Sequence, residues 1–303
     1  MGKEIAVGTK VFKRTEKLKD LLASVPEFIS TVYVADDGRT TKREHIYSDS
    51  YPFDLTLIDL DYDEGLGAGR RAIVERMTED YLVIVDSDHV LPDNLDVLQN
   101  LLESNPDVGG VAGAVIEPEI PSFFVTGQQF VEKGDDLHRG PFLGQGDVSV
   151  EMTGGYPIVY FDLVANAAMF RRECLEDYNW DPKYVIGYEH VDFYVGHWKQ
   201  TDWEFTVCPS VVFEHYPGGG SEYNANRYDN NKISSSEKYF LDKWGYEEDV
   251  IDGGFQWALG PPGSTWYSRG NMSTWQEAIV IGVVEGPRRL GKRAWSRLKR
   301  RFF

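Results

Sequence analysis

Two aspartates spaced two apart, Asp86 and Asp88, end the apolar run Tyr81-Leu82-Val83-Ile84-Val85. A run of that composition reads as a buried strand of the parallel kind. Ligands of open α/β sheets sit beyond the carboxyl ends of such strands, so the pair is placed to hold a divalent cation. Hard oxygen donors suit Mg²⁺ or Mn²⁺, which commonly bridge one or two protein carboxylates to phosphate oxygens. The chemistry expected is the handling of a nucleotide diphosphate.

Other elements must deliver the pair to its place. Segments 5–9, 31–36 and 55–60 are each strand-like and each is followed by a turn or a helix-like stretch, so the chain alternates β and α. The second ends in Asp36-Asp37-Gly38, and the third leads to Gly65-Leu66-Gly67-Ala68-Gly69-Arg70-Arg71, which opens a helix expected to run through Met77. Those glycines fall at i, i+2 and i+4 after the third strand, which fails the dinucleotide spacing.

In this order the motifs resemble the nucleotide-sugar half of the GT-A glycosyltransferases of the large family 2 type. That pattern has a first strand ending near Thr9, an Asp-Asp-Gly turn, a Gly-containing segment with Arg, and then Asp-x-Asp. Residues 161–172 are similar to the strand and turn that lead to the acceptor side in that family. The stretch Gly187-Tyr188-Glu189-His190-Val191-Asp192-Phe193 resembles its Glu-Asp motif region. His190 stands where many members carry the aspartate assigned as base, a form similar to the β1,4-N-acetylgalactosaminyltransferase branch. Segment 207–215 ends another strand on His215, similar to the third metal ligand of several such enzymes.

The resemblance covers roughly residues 3 to 245 and implies an α/β, Rossmann-like GT-A fold with a mostly parallel sheet flanked by helices. It implies Mn²⁺ or Mg²⁺ on Asp86, Asp88 and His215, and a nucleotide-sugar donor, a UDP-sugar foremost, at Thr9, Asp36, Asp37, Gly67, Arg70, Arg71, Asp86 and Ser87. Transfer is then to a hydroxyl acceptor, inverting, through a single displacement. The metal would neutralise the diphosphate leaving group, and a carboxylate or imidazole would take the acceptor's proton. Glu189, His190 and Asp192 are the titratable candidates. Glu189 and Asp192, three apart, share a face on a helix while His190 points elsewhere, so these two are favoured jointly. The alternatives are a non-catalytic nucleotide-sugar or carbohydrate binder of the same fold and a sugar nucleotidyltransferase. The latter should carry a Gly-rich phosphate loop after the first strand, where this chain reads Gly8-Thr9-Lys10-Val11-Phe12.

Composition frames the rest. A chain of 303 residues with 42% apolar residues can bury a substantial core. It is expected to divide into a catalytic domain over 1–245, an irregular aromatic, Gly- and Pro-rich extension over 246–275, and a basic amphipathic tail over 276–303. Cys174 and Cys208 lack metal-ligand spacing and read as packed free thiols of a reducing compartment. The N-terminus enters its first strand at once, which reads as cytoplasmic. The net charge of −18 argues against nucleic-acid partners and suits a halophilic archaeon, whose molar salt screens self-repulsion.

The charge is uneven. From Gly286 the chain carries eight Lys or Arg and no acid, with Leu290, Ala294, Trp295, Leu298 and Phe302 on one helical stripe. That pattern predicts an amphipathic helix lying on an anionic membrane surface at the inner face of the cell membrane, where a lipid-linked saccharide would be a natural acceptor. Residues 216–231 read as a long Gly- and Asn-rich loop directly after His215, and 234–244 as a helix.

Overall fold

The computed structural model describes residues 3–118, 122–125, 127–140, 150–251, 257–258 and 267–268. The extension beyond 251, apart from two short strand pieces, and the whole basic tail with its stripe of Leu290, Ala294, Trp295, Leu298 and Phe302 lie outside the described residues.

Four parallel strands form the first half of the main sheet: β1 (Ile5–Val11), β2 (Thr31–Asp36), β3 (Asp54–Asp59) and β4 (Tyr81–Asp86). Helices α1 (Thr15–Ala23), α2 (Glu44–Tyr47) and α3 (Leu66–Arg76) connect them. The second half adds β5 (His89–Val90), α4 (Asp96–Ser104), β6 (Val108–Glu117), β7 (Ser122–Val125), β8 (Gly127–Lys133), β9 (Asp136–Gly140), β10 (Glu151–Thr153), β11 (Tyr156–Phe161), β12 (Leu163–Val164) and β13 (Ala167–Arg171). Helices α5 (Arg172–Asp177) and α6 (Glu189–Gln200), strand β14 (Glu204–His215), helices α7 (Ser221–Arg227) and α8 (Asn230–Trp244), and strand β15 (Asp249–Ile251) complete it.

The main sheet runs β10-β11-β14-β6-β13-β4-β1-β2-β3, and a smaller one runs β12-β8-β9-β15. The Asp86 strand is parallel to β1 on one side, as expected, and antiparallel to β13 on the other. Its first five residues are all buried, which is why it reads as a continuous apolar run instead of an alternating one. Two apolar layers flank the sheet. One packs Leu18, Leu21 and Leu22 of α1 with Leu98, Leu101 and Leu102 of α4; the other packs Ile73 of α3, Phe193 of α6 and Phe240 of α8.

Two elements differ from the sequence reading. The 216–231 stretch contains helix α7, and α8 starts at Asn230, four residues ahead of expectation. Asp229 explains the early start, because its carboxylate accepts the Asn231 N–H at 2.9 Å and caps the helix.

Candidate functional site

The geometry of the Asp86–Asp88 turn is set by strand pairing. Three residues after Asp86, the short β5 begins, pairs antiparallel with the end of β14 and places His89 opposite His215. The pairing of β14 with β6 shifts register between Cys208 and Val212, around Pro209. Proline cannot donate to a ladder, so it is tolerated at such an irregularity. The Tyr216 N–H donates to the Asp88 carbonyl at 2.9 Å and closes the turn. His215 Nε2 thereby lies 3.2 Å from Asp88 Oδ2 and its Nδ1 3.2 Å from Glu117 Oε1. The His89 ring stacks on His215 with centroids 4.8 Å apart. Burial works against a charged His215, but the bond to Asp88 and the nearby carboxylate charges outweigh it and raise its pKa. His89, buried, is lowered instead.

Arg70 connects this turn to the opposite wall. Its guanidinium donates to Asp86 Oδ1 at 2.9 Å and to Glu189 Oε1 at 3.2 Å. Enclosure disfavours the Asp86 charge, yet Arg70 holds its carboxyl well below the usual range, and 35% of the side chain remains open to the cleft. Glu189 owes its aim to two successive left-handed residues, Gly187 (φ 78°) and Tyr188 (φ 65°), before α6 begins. A non-glycine residue there costs about 1–2 kcal/mol. The Tyr188 hydroxyl holds it, donating to Asp249 at 3.0 Å and sitting 3.3 Å from Glu237. Glu189 Oε2 is buried and has no hydrogen-bond partner.

The other residues expected at the donor separate into two groups. Ser87 lines the cleft, as do Asp86 and Glu189. Asp37 is fully buried, paired with the cleft-lining Lys10 at 2.7 Å and accepting the Gly65 N–H at 2.9 Å, with Oδ1 left without a partner. Burial raises the Asp37 pKa and lowers that of Lys10, each against the pull of the other's charge. Thr9 is buried on β1 with an unpartnered hydroxyl, one residue from the cleft-lining Lys10. Asp36 is consumed by the fold: it accepts from Arg43 Nε at 2.8 Å, Tyr47 at 2.6 Å and the Gly38 N–H at 2.8 Å. Arg71 is on the surface, paired with Glu75 at 2.7 Å. Gly67 is a packing residue, since a Cβ there would meet the Asp181 carbonyl oxygen at 2.1 Å. Its N–H donates to the Tyr184 carbonyl at 3.0 Å. Asp36, Arg71 and Gly67 therefore do not present themselves to a donor.

The base candidates separate as well. Asp192 shares α6 with Glu189, but it is fully buried with four partners: Tyr178 at 3.2 Å, Tyr184 at 3.0 Å, Lys243 at 2.9 Å and Trp244 Nε1 at 2.8 Å. A carboxylate saturated by α8 and its neighbours has no face left for an acceptor, which corrects the joint assignment. His190 Nε2 donates to the Val164 carbonyl at 2.7 Å, and burial lowers its pKa to about 3. It is a neutral imidazole fixed on β12, outside the cleft.

The sequence reading missed the residues that close the cleft. Arg14 pairs with Asp88, donates to the Tyr223 hydroxyl, and stacks on the Tyr223 ring at 4.2 Å. Lys10, Tyr223, Asn226 and Arg227 line the same space. Their signal was weak: Arg14 stands three residues past β1 among other basic residues, and α7 sits in what reads as linker. With α7 in place the water-accessible space is about 70 Å³, far below the roughly 300–1,000 Å³ of ligand pockets.

Among the described residues no three His, Cys, Asp or Glu side chains already converge as a metal cage. The donor set nevertheless fits a divalent ion that completes its shell with phosphate oxygens, as Mg²⁺ and Mn²⁺ do. It has two carboxylates and an imidazole, and Asp88 Oδ1 is buried without a partner.

The sequence model of "Glycosyl transferase family 2" matches residues 7–178. Mouse β-1,4 N-acetylgalactosaminyltransferase 1 is 28% identical over 200 residues, 63% of this chain and 35% of that protein. Mouse β-1,4 N-acetylgalactosaminyltransferase 2 is 31% identical over 218 residues, 70% of this chain and 39% of that protein. The chain thus spans little more than a third of these curated relatives. Among solved structures, GalNAc-T7 with UDP, GalNAc and Mn²⁺ superposes with a TM-score of 0.58 at 12% identity, covering 80% of this chain and 50% of the other. Staphylococcus aureus TarS 1–349 in complex with UDP-GlcNAc gives 0.51 at 13% identity, covering 79% and 66%. The architecture is that of the GT-A glycosyltransferases.

Proposed function

The chain belongs to glycosyl transferase family 2, and from that premise we propose that it transfers an N-acetylhexosamine from a UDP-sugar to a hydroxyl of a glycan or lipid-linked saccharide, with inversion. The carrying observation is Arg70, which ties Asp86 of the metal turn to Glu189 across one cleft. The sugar type follows the relatives' names and the ligands of the structural neighbours.

Asp86, Asp88 and His215 would hold Mn²⁺ or Mg²⁺, which when bound supplies Lewis-acid neutralisation of the diphosphate. Asp37, with one unpartnered oxygen, offers an acceptor to an N–H of the base. Glu189 Oε2 takes the proton of the acceptor hydroxyl as that oxygen attacks the sugar's anomeric carbon. The bond from that carbon to the diphosphate breaks in the same displacement, so configuration inverts. Arg70, donating to the other Glu189 oxygen at 3.2 Å, keeps the side chain aimed at the cleft. Because so little space lies under α7, that helix moves for the donor to enter and can then exclude water.

The available Glu189 oxygen favours an enzyme over a non-catalytic binder. A thermal-shift screen of nucleotide sugars with and without Mn²⁺, followed by transfer assays on the responders, tests the reading. Failure of every UDP-sugar to stabilise the protein in Mn²⁺ refutes it.

A further inference from the structure

The cleft of this strongly acidic chain holds a cation of its own at the carboxylate assigned to the metal. Arg14 is 13% exposed, its guanidinium sits on Asp88 Oδ2, and the same oxygen faces His215 Nε2 at 3.2 Å. A divalent ion held by Asp88 and His215 would meet a fixed positive charge already bonded to that Asp88 oxygen. Like charges on one acceptor repel in a partly desolvated site, so the guanidinium and a metal would compete for it.

Arg14 has a second attachment. Its other terminal nitrogen donates to the Tyr223 hydroxyl while the guanidinium stacks on that ring. Helix α7 has no buried residue. Among the described residues, its other polar ties to the cleft rim are Lys13 to Glu222, and Asn226 to Asp63 at 2.9 Å. A segment with no buried residue, held by exposed and half-buried polar contacts and a cation–π stack, opens at lower free-energy cost than one anchored in the core.

We infer that Arg14 is a resident counter-ion of Asp88 that a divalent metal displaces, and that this exchange loosens α7 through Tyr223. Arg14 is thus a positioning residue that keeps the metal-free cleft closed and charge-balanced and makes opening depend on metal. The inference rests on the metal reading proposed above.

The test is titration of Mn²⁺ alone, without nucleotide, into the full chain and its Arg14→Gln, Arg14→Lys and Asp88→Asn variants, following free Mn²⁺ by electron paramagnetic resonance. Arg14→Gln should bind Mn²⁺ at least tenfold more tightly than wild type. Arg14→Lys keeps the charge but loses the forked reach to Tyr223 and should fall between; it serves in place of Arg14→Gln if that variant misfolds. Amide exchange of residues 221–227 should rise on adding Mn²⁺ to wild type and be high in Arg14→Gln with or without it. Equal or weaker Mn²⁺ binding by both Arg14 variants, in a protein whose binding Asp88→Asn abolishes, overturns the displacement while the metal site stands. Wild-type binding unaffected by Asp88→Asn, or no binding by any form, overturns both.

Discussion

Glu189 and Asp192 stand three residues apart on one helix, and the structure gives them opposite tasks, so their conservative amides should fail in opposite ways. Glu189→Gln removes the charge facing Arg70 at 3.2 Å, but Arg70 keeps Asp86 at 2.9 Å. The stability cost is then about 1 kcal/mol, the net worth of one hydrogen bond. If Glu189 takes the acceptor proton, turnover falls 10²–10⁴-fold, which is about 3–5 kcal/mol of barrier, with little change in donor affinity. Asp192→Asn disturbs a buried carboxylate with four partners, one of them Lys243. Deleting one partner of a buried ion pair costs ~3–5 kcal/mol. Because Lys243 retains Asp181 at 2.9 Å, the lower end, about 3 kcal/mol, is expected. At about 2 °C per kcal/mol for a chain of this size, the melting temperature should drop by ~6 °C. Calorimetry and transfer kinetics with a UDP-N-acetylhexosamine, normalised to folded protein, read both quantities. Loss of turnover in Asp192→Asn with an unchanged melting temperature would refute the assignment and return the base role to Asp192.

Asp88→Ala should abolish Mn²⁺-dependent donor binding while circular dichroism stays unchanged, because the core of β4 is untouched; donor affinity equal to wild type with and without metal refutes the metal turn. Burial holds His197 at a pKa of about 4 against about 6.5 in the unfolded chain. As pH falls from 6.5 to 4 the unfolded state binds the extra proton, and stability should drop by up to ~3 kcal/mol. His197→Asn should flatten the acid slope of melting temperature against pH, and an undiminished slope counts against it. Gly67→Ala should destabilise by ~1–3 kcal/mol, the cost of overpacking, since its Cβ would meet a backbone oxygen at 2.1 Å; a neutral result in urea unfolding refutes the packing role.

The strands were legible because they are buried on both faces: residues 81–85 and 32–35 leave no other use for unbroken apolar runs. The Asp86–Asp88 turn and His215 could be read as strand ends. Their meeting depends on β5, two residues long, pairing with β14 past an irregularity at Pro209, and no periodicity announces a two-residue strand. The uses of Asp36 and Asp192 were illegible for another reason. Whether a carboxylate faces substrate or fold depends on partners distant in sequence, here Lys243 and Trp244 some fifty residues beyond Asp192. Arg70 against Arg71 shows the same limit at the shortest range. Adjacent residues on α3 point one guanidinium into the cleft and the other into solvent.

That division bears on how so acidic a chain can accommodate an anionic donor. The described carboxylates at and beneath the cleft each carry a resident cation: Asp37 has Lys10, Asp86 and Glu189 share Arg70, Asp88 has Arg14, and Asp36 has Arg43. The −18 of the whole chain is therefore not the charge a diphosphate meets on entering. Arg227, exposed on α7 and lining the cleft, adds positive potential at the mouth. The buried pairs of Asp36, Asp37, Asp88 and Glu189 are screened far less by salt than surface charges are. Ionic strength should accordingly alter donor approach and α7 docking, which rest on exposed Lys13–Glu222 and Arg227, more than the affinity of the assembled site. A donor dissociation rate that rises with salt as steeply as the association rate falls would contradict this separation of inner pairs from outer field.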